Sequence, residues 1–306
     1  MNRLKLTQSK TIRGLGILSL ALLLSTISKT SYGQQFYIRA GGGYSLKASS
    51  SQFNDADPNG LTQIEPSTRI TATADGTTVE SLRGTLGVGY KVGGVAGYMF
   101  NDYVGAELGV YYFHGSEQTI GELSTPAFHS SETAYIRGVD VAPAMVITPG
   151  FDGINPYARV GLLIPVAGDL TIKTNATQMN YEGSGENLMI NAVSEVKPKF
   201  SLGYNAAIGV LFPIKSGVDL FAEAEFKSLT LKSDEAEIKS YKTTLGGNAV
   251  PGQQLEDLPV AEKKFTFSDE FTPTDPESNS DQPRVIPTQY VNASGIGFNL
   301  GLRFTF

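Results

Sequence analysis

Eight segments of this chain carry apolar residues at every second position, and the links between them alternate strictly between short and long. The last of them, GIGFNLGLRFTF, shows the rule. Ile296, Phe298, Leu300, Leu302, Phe304 and Phe306 share one face, while Gly297, Asn299, Gly301, Arg303 and Thr305 share the other. A period of two marks a strand with one apolar side. Taken singly, such a strand suits a soluble sandwich as well as a membrane wall, so the number and connection of all eight must separate the two.

The first segment is 35–46. Three hairpins follow, 85–100 with 103–113, 134–147 with 156–166, and 199–212 with 218–229, and 295–306 completes the set. Long polar segments at 47–82, 115–133, 170–197 and 231–285 separate these units. In a closed meander this order gathers every short turn at one end and every long loop at the other. That is the layout of a bacterial outer-membrane barrel. The expected fold is all-β, an eight-stranded antiparallel transmembrane β-barrel (an up-and-down meander) with long extracellular loops. The register of 134–147 stays open, because Arg137 and Asp140 lie on opposite faces and Pro143 interrupts the ladder.

The N-terminal residues agree with export. Arg3, Lys5, Lys10 and Arg13 precede and flank an apolar run over 15–27, with small residues at Ser31 and Gly33. This reads as a secretory signal peptide over 1–33, leaving 34–306 as the barrel domain. The run is shorter than the roughly 20 residues a membrane-spanning helix needs. The chain has no cysteine, so disulfides and thiolate metal sites are excluded. A formal net charge of -6 gives a nucleic-acid partner no electrostatic support.

Charges sit opposite the apolar stripes: Arg39, Lys91, Glu107, Arg159, Asp219, Glu223, Glu225, Lys227 and Arg303. A cation facing lipid at mid-membrane costs about 2–4 kcal/mol, so these side chains are expected to face inward. Buried charge must be paired, which predicts an interior salt-bridge network of Arg39, Glu107, Arg159, Glu223, Glu225 and Arg303. An eight-stranded barrel is just wide enough for side chains to fill. Tyr37, Tyr103, Tyr111 and Phe221 are expected to occupy much of that space, a narrow channel being the alternative.

The stretch GYMFNDYVGAELGVYYF, 97–113, resembles the OmpA-like eight-stranded outer-membrane barrel family. The shared pattern is a glycine and aromatic strand, an Asn-centred periplasmic turn, Tyr-Val-Gly and an inward Glu. A similar opening recurs at NPYARVG. The resemblance implies that Glu107 takes part in a salt-bridge network, with Arg303 as a partner. It also implies that Phe304 and Phe306 act as the C-terminal signal read by the outer-membrane assembly machinery. No periplasmic wall-binding domain is expected after the barrel, so the anchoring role of the family's longer members does not transfer.

The long loops carry weaker signals. NDADPNG places Asp55, Asp57 and Asn59 with Gly60 as in the opening of a calcium loop, but Pro66 stands where the bidentate Glu belongs. Calcium is the one candidate cofactor. His114, near Ser116 and Glu117, and His129 match no catalytic spacing, so no enzyme is expected. The fourth loop, acidic and Pro-rich over 233–283, reads as a solvated surface or a partner-binding one, with VAEKKFTF as a short added strand. The functional expectation is a structural or surface-interaction role: envelope integrity, adhesion or partner binding. A narrow porin-like channel is the alternative. Expected partners are outer-membrane lipid, the assembly machinery during biogenesis, and an extracellular or membrane component.

Overall fold

The computed structural model describes residues 35–48, 53, 67–270 and 281–306. The signal peptide expected over 1–33 and the calcium candidates Asp55, Asp57 and Asn59 lie outside the described residues. In chain order the strands are β1 (Gln35–Lys47), β2 (Thr68–Thr73), β3 (Gly76–Ser81), β4 (Gly89–Met99), β5 (Val104–Gly115), β6 (Gln118–Ser124), β7 (Phe128–Ile147), β8 (Asn155–Gln178), β9 (Leu188–Pro198), β10 (Gly203–Lys215), β11 (Val218–Ser228), β12 (Thr230–Leu245), β13 (Asn248–Gln254), β14 (Lys264–Ser268), β15 (Arg284–Pro287), β16 (Tyr290–Asn292) and β17 (Gly295–Thr305). One short helix, α1 (Val260–Lys263), precedes β14.

Eight of these close a barrel. β1, β4, β5, β7, β8, β10, β11 and β17 each pair antiparallel with the next, and β17 pairs back onto β1. Closure leaves no strand edge in the wall, which is what a sheet surrounded by lipid requires. The outer face is apolar. Val92, Leu108, Val110, Val160, Leu162, Ile208 and Leu300 are all exposed on it. Aromatic side chains mark both ends of the band, as at a membrane–water boundary. Phe36 packs on Phe306 and Tyr98 on Phe100 at the short-turn end, while Tyr90 stacks on His114 at the other.

The open register of the segment 134–147 resolves in favour of Asp140. Ala134, Ile136, Asp140, Ala142 and Val146 are buried, whereas Arg137 faces out. The ladder shifts by one residue where Val139 pairs with Ala167 and Asp140 with Pro165, so β8 carries the extra residue, Val166, as a bulge. Tyr103 corrects the sequence reading. It sits in the turn before β5, is 58% exposed, and fills none of the interior.

The long links also differ from expectation. Much of 115–133, 170–197 and 231–285 is strand rather than loop. β7 and β8 run on past the barrel, β9 pairs with the upper part of β8, and β12 pairs with β9. β14 and then β15 extend this sheet on one side, and β6, β2 and β3 on the other. Stretches such as TIKTNATQ in β8 carry Thr and other polar residues on both faces, so they lack the contrast that reveals a strand in sequence. Their β-branched content still favours extended backbone. VAEKKFTF divides into helix α1 and strand β14.

Inside the barrel the layers are sorted by polarity. Tyr37, Met99, Val146, Tyr157, Leu211 and Phe221 cluster towards the short-turn end. A larger cluster, including Phe53, Leu86, Phe113, Ile136, Leu163 and Phe267, fills the opposite mouth and the base of the outer sheet.

Candidate functional site

Between the two apolar layers lies a network of charged side chains. Its arrangement follows from which positions in each lateral row of the barrel hold glycine. Tyr37 on β1 is opposite Gly97 on β4, which is opposite Glu107 on β5. With no side chain on Gly97, the Tyr37 hydroxyl reaches across and donates to Glu107 Oε1 at 2.6 Å. Two rows further in, Phe221 and Tyr111 are separated by three consecutive glycines, Gly301, Gly41 and Gly93. A side chain on any of them would collide with backbone or with one of those rings.

Arg39, 3% exposed, is the hub. It donates to Glu107 Oε2 at 2.8 Å, to the Tyr157 hydroxyl at 3.0 Å and to Glu223 Oε2 at 3.3 Å. Tyr157 donates in turn to Glu223 Oε2 at 2.9 Å. Arg159 binds Glu223 through two nitrogens, at 2.7 and 3.2 Å, and reaches Glu225 at 2.5 Å. Lys91 pairs with Glu225. The Asn299 amide donates to Glu223 at 2.9 Å and to Glu225 at 3.0 Å. Nearer the outer mouth, Lys227 faces Asp140 at 3.7 Å and lies over the Phe113 ring.

Five of the six expected network residues thus meet: Arg39, Glu107, Arg159, Glu223 and Glu225. Arg303 does not join them. In its row it stands between Asp219 and Arg39, and the like charge of Arg39 already holds Glu107. Arg303 instead stacks its guanidinium 4.1 Å from the Tyr37 ring centroid. Sequence reasoning left out Tyr157 and Asn299. Tyr157 lies two residues from Arg159, and Asn299 four from Arg303, so the period of two already placed both on the inward face.

Phe304 and Phe306, named as the assembly signal, lie on the outer wall, and Phe306 packs against Phe36 with its ring tilted. His114 also faces out, among Tyr90, Tyr112 and Tyr135, and Tyr112 Oη lies 3.4 Å from its Nδ1. His129 lies in the upper part of β7, paired across the ladder with Thr177. Among the described residues no group of three or more His, Cys, Asp or Glu is arranged to hold a metal.

Among the described residues, the spaces found within the wall are small. A cavity of about 20 Å³ lies beside Arg39, Tyr111 and Asn299, and one of about 30 Å³ beside Asp140 and Lys227. A concavity of about 1030 Å³ is bordered by Ile208, Ala222, Ala224, Phe298 and Leu300, whose side chains point away from the interior. It is far larger than the interior cavities but belongs to the apolar outer surface, not to a path through the barrel.

The sequence matches the family described as outer membrane protein beta-barrel domain over residues 17–250. A comparison with curated proteins gives no match. Similar solved structures include the outer membrane protein OprG from Pseudomonas aeruginosa, 15% identical with a TM-score of 0.44, covering 90% of this chain and 96% of that one. A major outer membrane protein from Thermus thermophilus is 11% identical with a TM-score of 0.34, covering 89% and 99%. CarO2 of Acinetobacter baumannii is 12% identical with a TM-score of 0.30, covering 88% and 99%. With the matched domain spanning most of the chain, and with a closed barrel of eight antiparallel strands, this protein belongs to the outer membrane protein β-barrel domain family and resides in the bacterial outer membrane.

Proposed function

We propose that the barrel passes no solute and serves as a rigid mount for the sheet that β6, β7, β8, β9 and β12 raise above it, with a structural or surface-contact role. The observation that carries this reading is the closed interior. A paired charge network is held between two apolar layers, and the cavities within it are of about 20 and 30 Å³. A cavity needs about 10–15 Å³ for a single water, so these spaces are of one- or two-water size. The channel alternative would need several of the ion pairs to part and the Phe221 and Tyr111 rings to swing away from the glycines beneath them. The outer sheet is suited to contact: it is large, supported by continuous strands, and polar on its outer side, where Lys173 pairs with Glu117 and Arg137 with Asp169 and Glu195. The terminal aromatics and the turn pattern shared with OmpA-like barrels support delivery by the same assembly machinery.

A shortened variant tests the role. Lys173 and Val193 are a cross-strand pair, so joining them through a two-residue turn removes the distal β8–β9 hairpin without touching the membrane wall. The expected result is normal insertion, seen as unchanged heat-modifiable migration, with loss of the envelope or adhesion phenotype that the intact protein restores to a deletion strain. Full restoration by the shortened variant would refute a role for the outer sheet.

A further inference from the structure

The row of three glycines between Phe221 and Tyr111 borders the cavity of about 20 Å³ noted above, and two of the side chains that line it each carry a polar atom that no protein group satisfies. One is Arg39 Nε, a donor; the other is Asn299 Oδ1, an acceptor. Both side chains are almost wholly buried, at 3% and 4% exposed. The Asn299 amide cannot turn over to exchange its ends, because its nitrogen is committed to Glu223 and Glu225, both acceptors. The donor and the acceptor therefore both belong to side chains that line one small space, and each is costly if left without a partner.

We infer that this cavity is a binding site for a single water molecule, which accepts from Arg39 Nε and donates to Asn299 Oδ1. The chemistry of the lining selects the ligand. A metal or ammonium ion would face the cationic Arg39 and Lys91, and it could not accept from Nε. An anion would face Glu223 and the lone pairs of Asn299 Oδ1. Only a molecule that both donates and accepts satisfies both atoms, and the volume admits one water and nothing larger. Its second hydrogen is free for the Glu223 carboxylate, which lines the same cavity. The water is thereby a fixed member of the network, holding β1 and β17 to β11 at the level where glycine withholds side chains.

A high-resolution crystal structure of the intact refolded barrel reads this directly. The expected result is a density peak about 2.7–3.2 Å from both Arg39 Nε and Asn299 Oδ1. A clear map with no peak there would overturn the assignment. An independent reading comes from Val95→Ile, since buried Val95 lines the cavity and an added methylene would enter it. With water in place, the substitution expels it, strips both polar atoms of their partner and lowers the denaturant midpoint. A dry cavity predicts the opposite sign, because filling an empty space with apolar volume raises the midpoint; that outcome too would overturn the proposal.

Discussion

Arg159 and Arg303 are both arginines on inward faces of barrel strands, yet their surroundings make them unequal. Arg159 is bonded to two carboxylates, and removing it leaves Glu223 and Glu225 in a low-dielectric interior with Arg39, Lys91, Tyr157 and Asn299 to balance them. Breaking a buried ion pair from one side costs about 3–5 kcal/mol, so Arg159→Met should lower the urea unfolding stability of the refolded barrel by that order. Arg303 has no carboxylate within salt-bridge distance among the described residues, and its main contact is the Tyr37 face. Arg303→Met keeps the packing and gives up a cation–π contact, for a loss of about 1 kcal/mol or less. Equal losses for the two variants would mean that Arg303 is tied into the network after all. The sequence could place both residues on the inward face, but not assign their partners, because a partner depends on which neighbouring rows hold glycine.

At the scale of elements, what could be read from the chain was the membrane wall, and what could not was the sheet above it. Strands such as β11 and β17 must show apolar side chains to lipid and polar ones to the interior, so the two faces differ sharply in composition. The upper parts of β7, β8, β9 and β12 meet water on their outer side and a mixed interior on the other, so Thr, Ser, Asn and Ala recur on both faces and the period is blurred. Pairing between distant segments, not amphipathic contrast, sets those strands. The same region carries a titrating group. Burial raises the Glu132 carboxyl above its ordinary value, and the hydrogen bond from the Thr174 hydroxyl at 3.2 Å offsets this in part. The folded outer sheet thus holds a proton more tightly than the unfolded chain does. Its contribution is fully present below the ordinary glutamate range and is lost as pH rises through the raised folded value. Amide exchange in β7 and β8, corrected for the intrinsic rate, should therefore show opening becoming easier as pH climbs through that window. Glu132→Gln should flatten the dependence; an unchanged slope in the variant would assign it to another group.

For the whole molecule, the arrangement along the axis matters more than any single contact. Apolar side chains close the short-turn end, a charge network with matched signs occupies the middle, and a second apolar cluster closes the outer mouth beneath the sheet. Each layer makes the next one stable: the apolar layers keep bulk water from the ion pairs, which strengthens them, and the ion pairs neutralise charge that those layers could not tolerate. A solute path would have to breach all three. Single-channel recording of the refolded wild-type barrel in a planar bilayer tests this most directly. A barrel that inserts but stays electrically silent is the predicted result. Stable, reproducible conductance steps that change in size with Arg159→Met would contradict it, and would turn the charge network from a closed core into the lining of a pore.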